Sequence, residues 1–352
     1  MTRKKVLFVG WVNKGKKPVD GETTKNQYII AELEKYCDVT VLDFYNKKAH
    51  PWIYLQAFWA FVTQPKSIIV FSTSAKNIYK ILKLFKKMGL KRTIIHWVIG
   101  GNIAKCFDNG KYSVDVFNII DCHLVQCNDM IDDLTRLGLK NVKFVSNFKP
   151  IKYYPDLASC HKKRDESGKI RFVFMSRIMF EKGCDYIMKA IRILNDKGLK
   201  DKYVVDFYGK VDGRYKSVFD KDVQRFDNVS YHGLLDLKKD AGYDTLATYH
   251  AMLFPTYWPG EGFAGVFIDA FIAGLPILAS DWAHNREAVV DGKNGVIYPT
   301  HDVEALALVM ENTINGKYDL QKMSTCCRQE APNYQADKAL SKEYLESIGL
   351  VD

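Results

Sequence analysis

Residues 251–280, AMLFPTYWPGEGFAGVFIDAFIAGLPILAS, run from a short apolar segment through a glycine-rich loop to a helix-length apolar segment, a Gly-Leu-Pro turn and a second short apolar run. Ala251 to Phe254 and Pro276 to Ala279 have the length of buried strands. Gly260, Gly262 and Gly265 mark the loop, and a helix is expected from about Ala264. Strand, helix and strand in this order make one parallel crossover unit. Asp269 falls inside the helix, between Val266-Phe267-Ile268 and Ala270-Phe271-Ile272. A buried, unpaired carboxylate costs several kcal/mol, so Asp269 needs a partner or a polar cavity.

The same alternation fills the chain. Strands are expected at Val6 to Gly10, Val39 to Phe44, Ser67 to Ser72, Thr93 to Val98, Cys122 to Val125 and Val142 to Val145. A second set follows at Arg171 to Ser176, Tyr203 to Tyr208, Val229 to His232, Ala251 to Phe254, Pro276 to Ala279 and Gly295 to Tyr298. Two doubly wound α/β domains follow, 1–150 and 168–330. The polar stretch NFKPIKYYPDLASCHKKRDESGK, residues 147–169, is read as the linker. The C-terminal segment 336–352, with Leu340, Tyr344 and Ile348 at helical spacing, can cap either domain and is assigned to pack back on the first.

A chain of 352 residues with 47% hydrophobic and 26% charged residues is globular. Its net charge of +10 is unevenly placed: residues 1–150 carry +12 and the remainder −2. A basic first half suits an anionic partner such as a diphosphate or an anionic membrane surface. Nucleic acid is set aside, because no aromatic-basic recognition module is present. The eight cysteines form no CxxC pair and are read as reduced cytosolic thiols. The opening MTRKKVLFVGWVNKGKK has too short an apolar run for a signal peptide and is read as the first strand. No uncharged run approaches a membrane span.

Ligands of doubly wound sheets bind at the carboxyl ends of strands, so the loops that follow strands carry the functional reading. SRIMFEKG, residues 176–183, places Arg177 and Lys182 at a strand-to-helix turn, which suits a diphosphate as well as it suits two solvated charges. In GEGFAG, residues 260–265, the glycines let backbone N–H groups approach an anion beneath a helix N-terminus. A nucleotide diphosphate there would bring its ribose to Asp269, about 7 Å along the helix; an internal ion pair is the alternative.

From Pro255 to Pro299, PTYWPGEGFAGVFIDAFIAGLPILASDW and EAVVDGKNGVIYP resemble the retaining GT-B glycosyltransferases of family 4 from bacterial capsular and surface polysaccharide biosynthesis. SRIMFEKG matches that family's Arg and Lys loop. The resemblance implies a GT-B fold, two Rossmann-like domains facing a central cleft, with the donor held by the second. It implies a metal-independent hexosyltransferase without cofactor that moves a sugar, from a UDP-sugar, to a glycan or lipid-diphosphate-linked saccharide. By the same resemblance Arg177 and Lys182 hold the diphosphate, Glu261 contacts the sugar, and Gly262, Phe263, Ala264 and Gly265 hold phosphate. Asp269 holds ribose, while Gly209, Gly233 and Leu235 border the base. The family usually has Glu where this chain has Asp269.

On the acceptor side, Gly21, Thr24 and Lys25 in PVDGETTKN resemble the loop that closes over the reaction centre, and a helix cap is an equal reading. Gly101 and Asn102 form a second candidate. His96 is read as a core histidine or a cleft residue, and no His, Asp or Cys spacing suggests a metal site. The amphipathic segment Lys76 to Arg92 is expected to pack its apolar stripe inward and to present lysines to anionic lipid. Trp52 to Trp59 can add interfacial aromatics to that surface, but a core helix is the preferred reading. The location that follows is cytoplasmic, peripheral at the inner face of the plasma membrane. A nucleotide-sugar 2-epimerase of the same fold and a non-catalytic sugar-nucleotide-binding subunit are the rival readings.

Overall fold

The computed structural model describes residues 3–18 and 20–352; Met1 and Thr2 of the opening segment and Val19 of the loop before Gly21 lie outside the described residues. Strands β1 (Lys5–Gly10), β2 (Asp38–Asp43), β3 (Ile68–Thr73), β4 (Ile94–Val98), β5 (Cys122–Val125) and β6 (Val142–Phe144) form a sheet in the order β2-β1-β3-β4-β5-β6. Strands β7 (Ile170–Met175), β8 (Tyr203–Tyr208), β9 (Val229–Tyr231), β10 (Ala251–Phe254), β11 (Ile277–Ser280) and β12 (Gly295–Tyr298) form the second, in the order β12-β11-β10-β7-β8-β9. Every pairing between them is parallel. Each strand lies within a residue at either end of its expected span. The central strands β1, β3, β4, β5, β10 and β11 are buried and read as nearly continuous apolar runs, whereas β2, β6 and β9 are partly exposed.

The chain divides into two compact units, one comprising the residues up to Pro150 with Tyr334–Asp352, the other Ile151–Asn333. In the first, Val6, Phe8, Val70, Trp97 and Leu124 pack with Leu340, Leu345, Ile348 and Leu350 of the C-terminal segment. The returning chain is fastened where it arrives: Lys149 N–H donates to the Tyr334 carbonyl (3.0 Å) and Ala336 N–H to the Lys149 carbonyl (3.1 Å). In the second unit, Phe172, Phe174, Phe207, Tyr215 and Phe219 pack with Ile187, Ile191, Leu306 and Met310.

Three expectations are corrected. The segment 147–169 is not a plain linker, because it contains a helix, Leu157–Asp165, capped by Asp156, whose side chain accepts from Ala158 N–H (3.1 Å). Its charged run, KKRD, hides the signal, while Cys160, His161 and Arg164 are buried. The C-terminal segment is two short helices, Ala336–Ala339 and Lys342–Ser347, because the Ser341 hydroxyl caps the second by accepting from Tyr344 N–H. The helix Trp52–Thr63 is not a core helix. It buries Ile53, Ala57 and Ala60 and leaves Trp52, Tyr54, Leu55, Phe58, Trp59 and Val62 exposed. No helix among the described residues is long and apolar enough to cross a membrane.

Because Leu345 is fully buried in the first unit's core, Leu345→Ala is expected to destabilise that unit by about 2 to 5 kcal/mol. Hydrogen exchange should then rise in β1 and its neighbours while β7 to β12 keep their protection. Faster exchange confined to the second sheet would refute the assignment.

Candidate functional site

In an open parallel sheet the carboxyl ends of two neighbouring strands splay apart where the strand order reverses, and a crevice opens there. In the second unit the reversal falls between β7 and β10. The loops leaving these two strands carry SRIMFEKG and PTYWPGEGFAG.

Glycine brings the loops together. Gly183, after the turn Phe180–Lys182, has φ 73°, and a Cβ there would lie 2.2 Å from the Pro255 carbonyl oxygen. Gly209, at the end of β8, has φ 147°, and its Cβ would lie 1.7 Å from the Ser176 carbonyl oxygen. Only glycine fits either place. With Gly183 against Pro255, the Lys182 ammonium forms an ion pair with Glu261 and stands 5.7 Å from the centre of the Phe254 ring. Glu261 is 8% exposed and also accepts from the Thr256 hydroxyl (2.8 Å). The loop is pinned from β11, where the Ser280 hydroxyl donates to the Thr256 carbonyl (2.6 Å) and Trp282 Nε1 donates to the Trp258 carbonyl (2.8 Å).

The helix at this strand end spans Gly265–Ile272, with Ala264 as its cap residue rather than its first turn. Ala264 supplies no side-chain acceptor, so the leading N–H groups are open to an anion. Gly262 and Phe263 complete the approach, and the Phe263 ring lies 6.1 Å from that of Phe267. Asp269 is 3% exposed and accepts a hydrogen bond from the Tyr243 hydroxyl (2.9 Å). Gly209 N–H donates to the Gly233 carbonyl (2.7 Å), which joins the ends of β8 and β9, and Leu235 lies half-buried just beyond.

Arg177 is exposed on the same loop as Lys182. Sequence reasoning missed its surroundings. Asp212 accepts from Arg214 Nε (3.0 Å), and Arg214 also approaches Glu181 (3.5 Å). The Asp212 carboxyl is held below its ordinary range first by Arg214 and then by the Arg177 charge. The available signal was Asp212 and Arg214 in the loop that follows Gly209, itself a strand-end loop.

In the first unit the order reverses between β1 and β3. Gly21 opens the helix Gly21–Leu33, and Asp20 and Thr23 form a reciprocal capping box. The Thr24 hydroxyl donates to the Asp20 carbonyl (2.7 Å), so it is engaged in the cap. Glu22, which the sequence did not single out, bonds Thr73 at the end of β3, and burial pushes its carboxyl up to about 7. Asn26 Nδ2 donates to the carbonyls of Trp11 (2.9 Å) and Ser72 (3.2 Å). The Lys25 ammonium is buried, with no hydrogen-bond partner among the described residues, 5.9 Å from the centre of the Trp97 ring. Burial lowers its pKa to about 7. Gly101 and Asn102 lead into the helix Ile103–Asp108, and the Asn102 side chain makes no cap bond. His96 is a core histidine: it is fully buried, its Nε2 is 3.0 Å from the Thr73 carbonyl, and burial lowers it to about 4.

Lys25 supplies a pH-dependent test. Its folded pKa lies below its ordinary value, so the unfolded chain binds the extra proton between about pH 7 and 10.5, and stability rises with pH across that window. Lys25→Met is therefore expected to raise the urea midpoint of the first unit at pH 7, with the advantage shrinking towards pH 10.5. A midpoint difference independent of pH would contradict a buried, unpaired ammonium.

Residues 159–332 match the family model described as Glycosyl transferases group 1. A Klebsiella pneumoniae protein described as an "Uncharacterized 41.2 kDa protein in cps region" is 24% identical over 190 residues, 54% of this chain and 49% of its own. The amylovoran biosynthesis glycosyltransferase AmsK of Erwinia amylovora is 23% identical over 191 residues, 53% of this chain and 43% of its own. The chain thus spans about half the length of these curated relatives. Among solved structures, Anabaena HepE in complex with UDP superposes with TM-score 0.73 at 14% identity, covering 98% of this chain and 99% of that one. Sucrose-phosphate synthase from Thermosynechococcus elongatus gives TM-score 0.74 at 15% identity, covering 98% of each. The chain has the GT-B fold, and its residues 159–332 match the Glycosyl transferases group 1 family across the half that contains Lys182, Glu261 and Asp269.

Proposed function

We propose that the chain is a retaining glycosyltransferase that moves a sugar from a UDP-sugar to a hydroxyl of a glycan or lipid-diphosphate-linked saccharide in polysaccharide biosynthesis, without a metal. The observation that carries the reading is the meeting of Lys182 and Glu261 at the strand-order reversal of the matched domain. A half-buried ammonium in a strand-to-helix turn suits a diphosphate. UDP and UDP-glucose are bound in the HepE structures, and the relatives' names place one in a cps region and another in amylovoran biosynthesis.

In this reading Lys182, Arg177 and the first turn of the helix Gly265–Ile272 neutralise the charge that develops on the leaving diphosphate. Glu261 exchanges its hold on Lys182 for the donor sugar. Asp269 shares its carboxylate between the Tyr243 hydroxyl and ribose, and Gly209, Gly233 and Leu235 border the base. The acceptor hydroxyl attacks the face that the diphosphate leaves, and the diphosphate takes its proton. On the other unit, Lys25 is poised to meet an anion, since a negative group beside it would restore its charge. A lipid-linked acceptor would place the enzyme at the inner face of the plasma membrane.

Two substitutions separate the roles by calorimetry. Lys182→Ala is expected to weaken UDP binding by about 1.5 to 3 kcal/mol, the scale of a charged hydrogen bond, and to leave uridine binding nearly unchanged. Glu261→Gln, which removes the carboxylate that competes for Lys182, is expected to hold or raise UDP affinity. Equal losses of UDP and uridine binding in Lys182→Ala would overturn the diphosphate role.

A further inference from the structure

The helix Trp52–Thr63, WIYLQAFWAFVT, contains no charged residue, and its outward face is apolar. Trp52 is 68% exposed, Phe58 61% and Trp59 57%, with Tyr54, Leu55 and Val62 beside them. Isolated exposed apolar residues are ordinary, but six on one face of one helix mark a binding surface.

The surroundings indicate the partner. Residues 44–107 contain eleven Lys and Arg and no Asp or Glu. The neighbouring helix Ala75–Lys87 packs against the aromatic one through Phe61 and Phe85, whose rings meet edge to face at 5.7 Å. Arg92 fastens the end of the aromatic helix by donating to the carbonyls of Phe61 (2.9 Å) and Gln64 (2.9 Å). Ile78, Leu82 and Phe85 are buried, whereas Lys76, Lys80, Lys83 and Lys87 are exposed. Leu84, Met88 and Leu90 continue the exposed apolar surface among these lysines. Lys86 is set apart by its ion pair with Asp115.

We propose that the helix Trp52–Thr63 is an interfacial anchor. Its Trp, Tyr, Phe and Leu side chains enter the headgroup boundary of an anionic bilayer, and Lys83, Lys87 and Lys91 lie against the lipid phosphates. Trp and Tyr favour the boundary because each joins an apolar ring to a polar group. Basic residues beside an apolar face are what an anionic lipid surface selects. A protein partner's apolar groove would match the helix face but would leave the acid-free basic surroundings unexplained. The proposal deepens the lipid-linked acceptor of the reading above, yet it is tested without donor or acceptor, so its failure leaves sugar transfer untouched.

The test uses the full chain with vesicles of phosphatidylcholine alone or mixed with phosphatidylglycerol, read by sedimentation and by tryptophan quenching with brominated lipid. The wild type is expected to bind the anionic vesicles at low salt and to be quenched. Phe58→Ser with Trp59→Ser is expected to bind at least about tenfold more weakly at unchanged melting temperature, because the exposed rings supply insertion. Lys83→Glu with Lys87→Glu and Lys91→Glu is expected to abolish the preference for anionic lipid. Equal vesicle binding by the Phe58/Trp59 variant would overturn the anchor. So would failure to bind vesicles, with or without a dimer in sedimentation that the same variant dissolves.

Discussion

At Gly183 the backbone passes so close to the Pro255 carbonyl that any side chain would collide with it. That approach presses the loop after β7 against the loop after β10, and the juxtaposition of Lys182 with Glu261 depends on it. Gly209 applies the same constraint on the other side, seating the end of β8 on Ser176. The two glycines thus draw three separate strand ends together, with the helix Gly265–Ile272 beginning in the loop that Gly183 touches. They also explain why the site needs no long excursions of chain: a parallel sheet whose order reverses already leaves the space, and glycine closes the loops around it.

The ion pair at the centre is poorly explained as a stabilising device. Withdrawing both charges from water offsets much of their attraction, and a pair of well-packed apolar residues would serve the fold as well or better. In the proposed reading its value lies in keeping a cation and a carboxylate ready in a place from which a ligand would displace one partner. Thr256, itself held by Ser280, orients the carboxylate so that the arrangement persists without ligand. In the first unit the equivalent reversal holds Glu22 and Lys25, each shifted towards neutrality by burial.

The strands were legible because the central strands β1, β3, β4, β5, β10 and β11 are buried and read as nearly continuous apolar runs. Arg177, Lys182 and Glu261 were legible as candidates through loop position and family resemblance; that Lys182 and Glu261 touch was not, since 79 residues separate them and only the strand order joins them. Glu22 and Asn26 went unnoticed for the same reason: their partners, Thr73 and Ser72, lie at the end of a strand that neighbours β1 only after folding. At the helix Trp52–Thr63 the sequence allowed interfacial aromatics but favoured core. An apolar, uncharged segment of that length reads as core, and periodicity cannot distinguish a face turned to the sheet from one left open, because both are apolar here. The helix within 147–169 was hidden by its charges, and the Ser341 cap by the continuity of apolar spacing across it.

The central claim is that the crevice between β7 and β10 holds a nucleotide-sugar whose bond to the diphosphate it can break with retention. The most direct measurement is proton NMR of a set of nucleotide sugars incubated with the protein in the absence of any acceptor. The account predicts slow consumption of a UDP-sugar to UDP and free sugar, released first in the anomeric configuration of the donor. Release in the opposite configuration, conversion to an epimeric sugar nucleotide, or a folded protein that consumes none of them would contradict it.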